Sequence, residues 1–293
     1  MVFSGYIVGY LFCAGAGAGA FFAAAACCVW DAVRRSDASE RAVVAIQPGF
    51  YAAPCLLLLA CVLLVSDLGV VERAWVVITA PFQSVMSIGA WLVALLTLIS
   101  TVLAVASLAL AEVPRVMQVV CSVVGLALAA GTMAYTGLLL SDLVSVDFWH
   151  TPWLVVLFVV SSLSCGIALI IVVDTLSFAH LRSVEGGLWR VSGAFGIVEA
   201  VALGILMAVQ WGYTDVARAS CALLLTGSLA LPFWGGVIGA GIALPLVTHL
   251  VTRGRPSAAA ALAAACSLLA GGLALRYCVV AAALYTPLVA GAL

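Results

Sequence analysis

Long apolar runs separated by short polar joints dominate the chain. Eight runs are long enough to be membrane helices, at about 5–29, 43–66, 75–110, 117–140, 152–177, 190–211, 219–248 and 257–284. A spanning helix needs roughly 20 mostly apolar residues, because every backbone amide must be satisfied within the segment where water is excluded. The third and seventh runs exceed that length. Pro81 breaks the third early, so 74–87 is expected to be an interfacial or re-entrant piece leading into a helix from about Ile88. The joints are mostly about 6–15 residues, too short for a soluble domain. The expected fold is an all-α integral membrane protein in one polytopic domain over 1–293, with helices 1–4 at about 5–140 and helices 5–8 at about 152–284.

Composition agrees with the pattern. Of 293 residues, 66% are hydrophobic and 8% charged, too few polar groups to cover a water-soluble globule. The mean hydropathy is +1.31. A redox centre or catalytic domain facing water is therefore expected on another polypeptide.

All 11 basic side chains are arginine, and their distribution sets an orientation. Arg34, Arg35 and Arg41 follow the first run, Arg115 lies between the third and fourth, Arg182 and Arg190 between the fifth and sixth, and Arg253 and Arg255 between the seventh and eighth. The other joints hold only Arg73 and Arg218, while Arg276 falls inside the eighth run. The positive-inside rule then places the odd-numbered joints in the cytoplasm and both termini outside. Trp75, Trp149, Trp153 and Trp211 near outer ends, with Trp30 and Trp189 near inner ones, read as an aromatic belt. The start has no basic residue ahead of its apolar run, so the first helix is expected to be retained and not cleaved as a signal peptide.

Several polar positions stand out against this background. The 10 cysteines form no CxxC pair and read as small apolar residues, so no iron–sulfur cluster is expected in the chain. The histidines, His150, His180 and His249, sit at expected loop edges, which disfavours a buried haem with paired axial ligands. In the first run, GAGAGA from Gly15 to Ala20 has small-xxx-small spacing and reads as a close-packing face, the alternative being a cofactor lying across it. Tyr135 falls about 8 Å inside the outer end of the fourth run, as an interfacial anchor or as a donor to a carbonyl of a lipid-soluble ligand. Ionisable side chains inside a span are costly and require protein or water around them. Glu199 lies near mid-membrane and Asp174 toward the cytoplasmic end of its run, each fitting either proton transfer or a static interhelical hydrogen bond. Arg276 fits either a structural pair with Asp67 or Glu72 or a ligand contact.

SDLGVVERAW at 66–75, followed by APFQSVMSIGAWL, resembles the motif of the NrfD/PsrC family of quinone-reactive membrane subunits of polysulfide reductase-like complexes. The matching positions are Asp67, Leu68, Gly69, Glu72, Arg73, Ser84, Met86, Ser87, Gly89, Ala90 and Trp91. The likeness continues through the glycine-rich first run, PRVMQ, YTGLLLSD, FWHTPWLVVLFVVSSLSCGIAL and the LRY of the eighth run. Two departures are Val70-Val71, where the family commonly has proline before the Glu, and Tyr6 and Tyr10, where it often carries Asn or His.

The resemblance implies eight helices in two four-helix bundles and a quinone, menaquinone or ubiquinone, bound near the extracytoplasmic face. It further implies a ferredoxin-like four-cluster iron–sulfur partner, a molybdopterin or multihaem catalytic subunit, and residence in the cytoplasmic membrane, with no haem or iron–sulfur cluster in this chain and no nucleic-acid partner. Tyr135 matches the family tyrosine that contacts quinone, and Asp67, Tyr10 and Arg276 complete the expected quinone set. Glu199, Asp174 and Glu72 are the expected proton-transfer residues. Such a protein exchanges electrons as one subunit of a respiratory oxidoreductase and is not catalytic alone. Two other classes compete with this reading: a small-solute or ion transporter, and a purely structural anchor.

Overall fold

The computed structural model of the protein describes residues 5–34, 37–67, 84–109, 113–143, 145–177, 187–253 and 256–284, with the backbone alone for 37–46. Its elements are α1 (Gly5–Arg34), α2 (Asp37–Asp67), α3 (Val85–Ala109), α4 (Arg115–Ser141), α5 (Pro152–Leu176), α6 (Leu188–Tyr213), a short α7 (Asp215–Leu225), a π-helical segment (Pro232–Ala243) that continues into α8 (Leu244–Thr252), and α9 (Ala258–Ala281). Among the described residues there is no strand, and eight helical segments are long and apolar enough to cross a membrane. The chain is a multi-pass integral membrane protein.

Side chains at the joints set several helix starts. Thr151 caps α5 by accepting from the Trp153 amide, with Pro152 at the first helical position, where a missing N–H costs nothing. Thr214 caps α7 through the Ala217 amide, and Ser257 caps α9 through that of Ala260. Gly187 supplies the positive φ of 87° that opens α6.

Three sequence expectations change. The helix expected from about Ile88 already begins at Val85, and most of the proposed re-entrant piece lies outside the described residues. The second helix starts at Asp37 and carries Pro48 and Pro54 within it. The long seventh run is not one helix: α7 stops at Leu225, and the span proper starts at Pro232 with a π-helical stretch containing four glycines. That stretch packs on α9, where a Cβ on Gly271 would overlap the Cα of Gly241, so the two backbones touch.

Helix α1 is the most enclosed element, packed on α2, α4 and α5 and also touching α9. The glycine face explains how. A Cβ on Gly19 would overlap the backbone carbonyl of Ser162, and one on Gly166 would overlap the backbone at Gly19 and Ala20, so α1 and α5 cross at main-chain contact. Gly15 meets Ser162 Oγ in the same way. Protein, in the form of α5, therefore occupies that part of the glycine face. Helix α5 in turn packs on α4, α6 and α9, and α3 lies against α2 and α4.

The aromatic belt is partly redrawn. Trp30, Trp153, Trp211 and Trp234 are exposed on the apolar surface. Trp149 and Trp189 are instead buried. Trp149 donates to the Val279 carbonyl at 2.9 Å, pinning the α4–α5 joint over the end of α9. Gln210 reinforces that joint by donating to the Phe148 and Asp147 carbonyls, and the Thr214 hydroxyl donates to Asp147 Oδ2 at 2.9 Å. At the opposite ends of the helices, Arg115 on α4 pairs with Asp31 on α1 at 3.5 Å, and Trp189 stacks on His249 with ring centroids 5.3 Å apart. His249 lies in the last turn of α8.

Candidate functional site: a tyrosine pair above an arginine–serine cluster

Tyr10, near the N-terminal end of α1, and Tyr135, near the C-terminal end of α4, meet between the two helices. Tyr10 is fully buried and Tyr135 nearly so, with its ring turned into the protein and away from the lipid surface. Their side chains face each other, with Cys61 of α2 close to Tyr10. Yet neither hydroxyl completes a well-formed hydrogen bond among the described residues. The two hydroxyls are within reach of each other, but only one of them can donate to the other, so the pair leaves at least one buried O–H donor for a further acceptor. The Tyr135 ring reaches this position across α3: a Cβ on Gly89 would overlap its Cζ, Cε1 and Cε2.

Arg276 lies next to this layer, and its side chain is completely buried. Nε donates to the Leu11 carbonyl at 3.2 Å, directly after Tyr10 in the sequence. Nη1 donates to Ser161 Oγ at 3.1 Å and to the Gly272 carbonyl at 2.9 Å, while Nη2 donates to Ser162 Oγ at 3.0 Å. The rings of Phe12 and Phe158 flank the guanidinium at 5.7 and 5.5 Å. Four of its five N–H donors are therefore engaged by neutral groups, two serines and two carbonyls; of the two acids expected to pair with it, Glu72 lies outside the described residues.

Glu199 approaches the same serines from α6. It is buried, Ser161 lies within hydrogen-bonding reach of its carboxyl, and Arg276 is close enough to act on it through space. Ser164 is also near, although its Oγ completes no well-formed hydrogen bond among the described residues. Ser161 stands between a guanidinium that can only donate and a carboxyl, so it links the two groups through one hydroxyl. A cavity of about 10 Å³, close to the space of one water, lies among Ile171, Ser192, Gly196, His249 and Leu268. Gly196 is one helical turn from Glu199.

The remaining expected residues fall elsewhere. Asp174 is buried near the end of α5 and already has an interaction there. Asp67 is the last residue of α2 and likewise has one. Glu72 lies outside the described residues. The structure thus unites Tyr10 with Tyr135, and Arg276 with Glu199, while Asp174 stays apart at the opposite end of the helices. An open groove of about 490 Å³ between α1 and α9, lined by Gly5, Val8, Gly9, Ala274 and Tyr277 among others, contains none of them. Among the described residues no cluster of three or more His, Cys, Asp or Glu side chains is placed to hold a metal. Ser161, Ser162 and Gly89 escaped sequence reasoning as site residues, although the SSLS interruption of an otherwise apolar run was a visible signal for the two serines.

Apolar helices long enough to span a bilayer, enclosing buried polar side chains, define a multi-pass membrane protein. Residues 1–288 match the family described as Polysulphide reductase, NrfD, and the protein belongs to that family. It is similar to the C subunit of the polysulfide reductase of Wolinella succinogenes, 37% identical over 176 residues that make up 57% of the present sequence and 55% of the relative. The match therefore spans about half the length of that relative. The resemblance read from the SDLGVVERAW and YTGLLLSD stretches is borne out at the level of the family.

Proposed function

We propose that this protein is the quinone-reactive membrane subunit of a respiratory oxidoreductase, exchanging electrons between menaquinone or ubiquinone and an iron–sulfur subunit docked on the outer face. The observation that carries the reading is the buried Tyr10–Tyr135 pair, whose hydroxyls lack well-formed hydrogen bonds among the described residues and fit the oxygens of a quinone head group. The relative's name, polysulfide reductase, supports the oxidoreductase class.

A quinol supplies two electrons and two protons when it is oxidised. Tyr135 holds one ring oxygen by donating a hydrogen bond, and Tyr10 orders the Tyr135 hydroxyl from the opposite side. Asp67 and Glu72 accept protons toward the outer face. Glu199 and Asp174 serve proton movement toward the cytoplasm. Arg276, with most of its donors committed, acts as a strut that fixes α1 beneath Tyr10 and sets a positive field at Glu199, and is not itself a quinone ligand.

Both termini face outward in this reading, in the cytoplasmic membrane, and the helices form two four-helix bundles, 5–140 and 152–284, within one domain. A molybdopterin or multihaem subunit completes the complex. Affinity purification of the tagged protein from native membranes, with solvent extraction of bound quinone, tests the assignment. An iron–sulfur protein together with quinone is the expected result. A partner without quinone indicates a structural anchor, and neither indicates a transporter.

A further inference from the structure

We propose that Gly89 is a positioning residue: by carrying no side chain it lets the Tyr135 ring lie across α3 and sets where the Tyr135 hydroxyl points. The consequence for turnover rests on the quinone-site reading above, whereas the consequence for the ring does not.

Gly89 sits on the second turn of α3, buried beside the exposed Ile88. The atoms that a Cβ there would overlap are Cζ, Cε1 and Cε2, the half of the Tyr135 ring that carries the hydroxyl. An overlap with the tip of a side chain is relieved cheaply when that side chain can swing away. Tyr135 cannot, being 3% exposed and bounded on the other side by Tyr10 at 0%. Along its axis α3 is also keyed to α4. One turn further along, Leu92 of α3 packs onto Gly131 of α4, where a Cβ would come within 3.3 Å of the leucine Cδ2. The two helices therefore interlock reciprocally: Tyr135 of α4 fills the notch at Gly89, and Leu92 of α3 fills the notch at Gly131. Adding one methyl at 89 must turn the ring, and with it the hydroxyl, away from its setting against Tyr10.

The test uses the full-length protein in its native complex, labelled with 3-fluorotyrosine. Seven of the ¹⁹F signals come from the tyrosines of this chain, beside those of its partner subunits, and that of Tyr135 is identified by its loss in Tyr135→Phe. Gly89→Ala is expected to move the Tyr135 and Tyr10 signals and to raise KM for a short-chain naphthoquinol by about 2- to 13-fold, the range of one lost hydrogen bond. Gly204→Ala, at a position with open space around it, is expected to change neither. An unmoved Tyr135 signal in Gly89→Ala overturns the proposal. A moved signal with unchanged turnover leaves the positioning role standing and removes the quinone-site reading instead.

Should Gly89→Ala fail to assemble, the same substitution in a Tyr135→Leu background supplies the answer. The ring is then absent, so the double variant is expected to assemble and to match Tyr135→Leu in stability and KM. Failure of the double variant while Tyr135→Leu itself assembles places the effect in α3 packing and overturns the proposal.

Discussion

Arg276 Nη2 donates to Ser162 Oγ at 3.0 Å in space that exists only because residue 15 of α1 is glycine: a Cβ there would come within 2.5 Å of that hydroxyl and 2.9 Å of that nitrogen. One buried cation thereby joins α9 to α5 and α1, through the two serines and the Leu11 carbonyl.

Removing the cation should weaken the whole core. Arg276→Leu strands two carbonyls and two hydroxyls, and each buried group left unpaired costs roughly 1–3 kcal/mol. Arg276→Lys keeps the charge but replaces a planar fork with a point donor, so it should recover only part of the loss. Thermal unfolding of the detergent-solubilised protein should rank wild type above Arg276→Lys above Arg276→Leu. Equal stability of all three variants contradicts the strut role.

Glycine substitutions should separate contact from propensity. Gly19→Ala drives a methyl into the Ser162 carbonyl and is expected to abolish accumulation of folded protein in the membrane. Gly204→Ala, with open space around it, should be neutral or stabilising by up to about 1 kcal/mol, the helix-propensity difference between the two residues. Fluorescence size-exclusion profiles of both variants decide this, and a normal profile for Gly19→Ala would count against main-chain contact between α1 and α5.

These contrasts also mark what the sequence could disclose. Eight spans were legible because backbone satisfaction in a bilayer forces long apolar runs. The packing role of Gly15 and Gly19 was legible because a four-residue repeat of small residues has few other uses. The register between helices was not, and it is register that brings Ser161 and Ser162 under Arg276 from more than 110 positions away. Periodicity likewise gave no warning that the seventh run stops at Leu225 and resumes as a π-helical stretch, since its apolar residues continue past the break. Trp149 looked like a belt residue because its position near a helix end is the same whether the ring turns to lipid or, as observed, to the Val279 carbonyl.

The arginine asymmetry predicts that the α1–α2 joint is cytoplasmic. Arg34, the last residue of α1, is exposed and suits a probe. In a variant freed of native cysteines, Arg34→Cys should react with a membrane-impermeant maleimide only after the inner side is opened. Labelling in sealed, right-side-out vesicles would invert the topology.

Tyr135→Phe tests the quinone contact with the smallest available change. The ring and its packing on Gly89 are retained, and a single hydroxyl is lost. Assembly should be normal, with quinol turnover at limiting substrate reduced about 2- to 13-fold, as one hydrogen bond of about 0.5–1.5 kcal/mol implies. Wild-type rates across quinol concentrations would leave Tyr135 without a role in turnover.

Glu199 is the residue whose placement packing alone explains least. Eleven positions separate it from the start of α6 at Leu188 and fourteen from the end at Tyr213, about 17 and 21 Å along the axis, so it sits near mid-membrane. On α5 it meets Ser161, and through that hydroxyl Arg276 of α9; one turn back along α6 lies the cavity at Gly196, with room close to that of one water. A carboxyl beside a fixed cation, one turn from a water-sized cavity, can accept and release a proton, or can simply balance the arginine. Glu199→Gln distinguishes these roles, because the amide retains size and hydrogen bonding but exchanges no titratable proton. A relay predicts slowed quinol turnover or lost proton movement in proteoliposomes with stability preserved. Charge balance predicts the reverse pattern, a lower thermal midpoint with turnover intact, because Arg276 loses its nearby acid. We expect the relay pattern. Unchanged turnover and proton movement in Glu199→Gln would take Glu199 out of the proton path and leave proton handling to Asp67, Glu72 and the tyrosine pair.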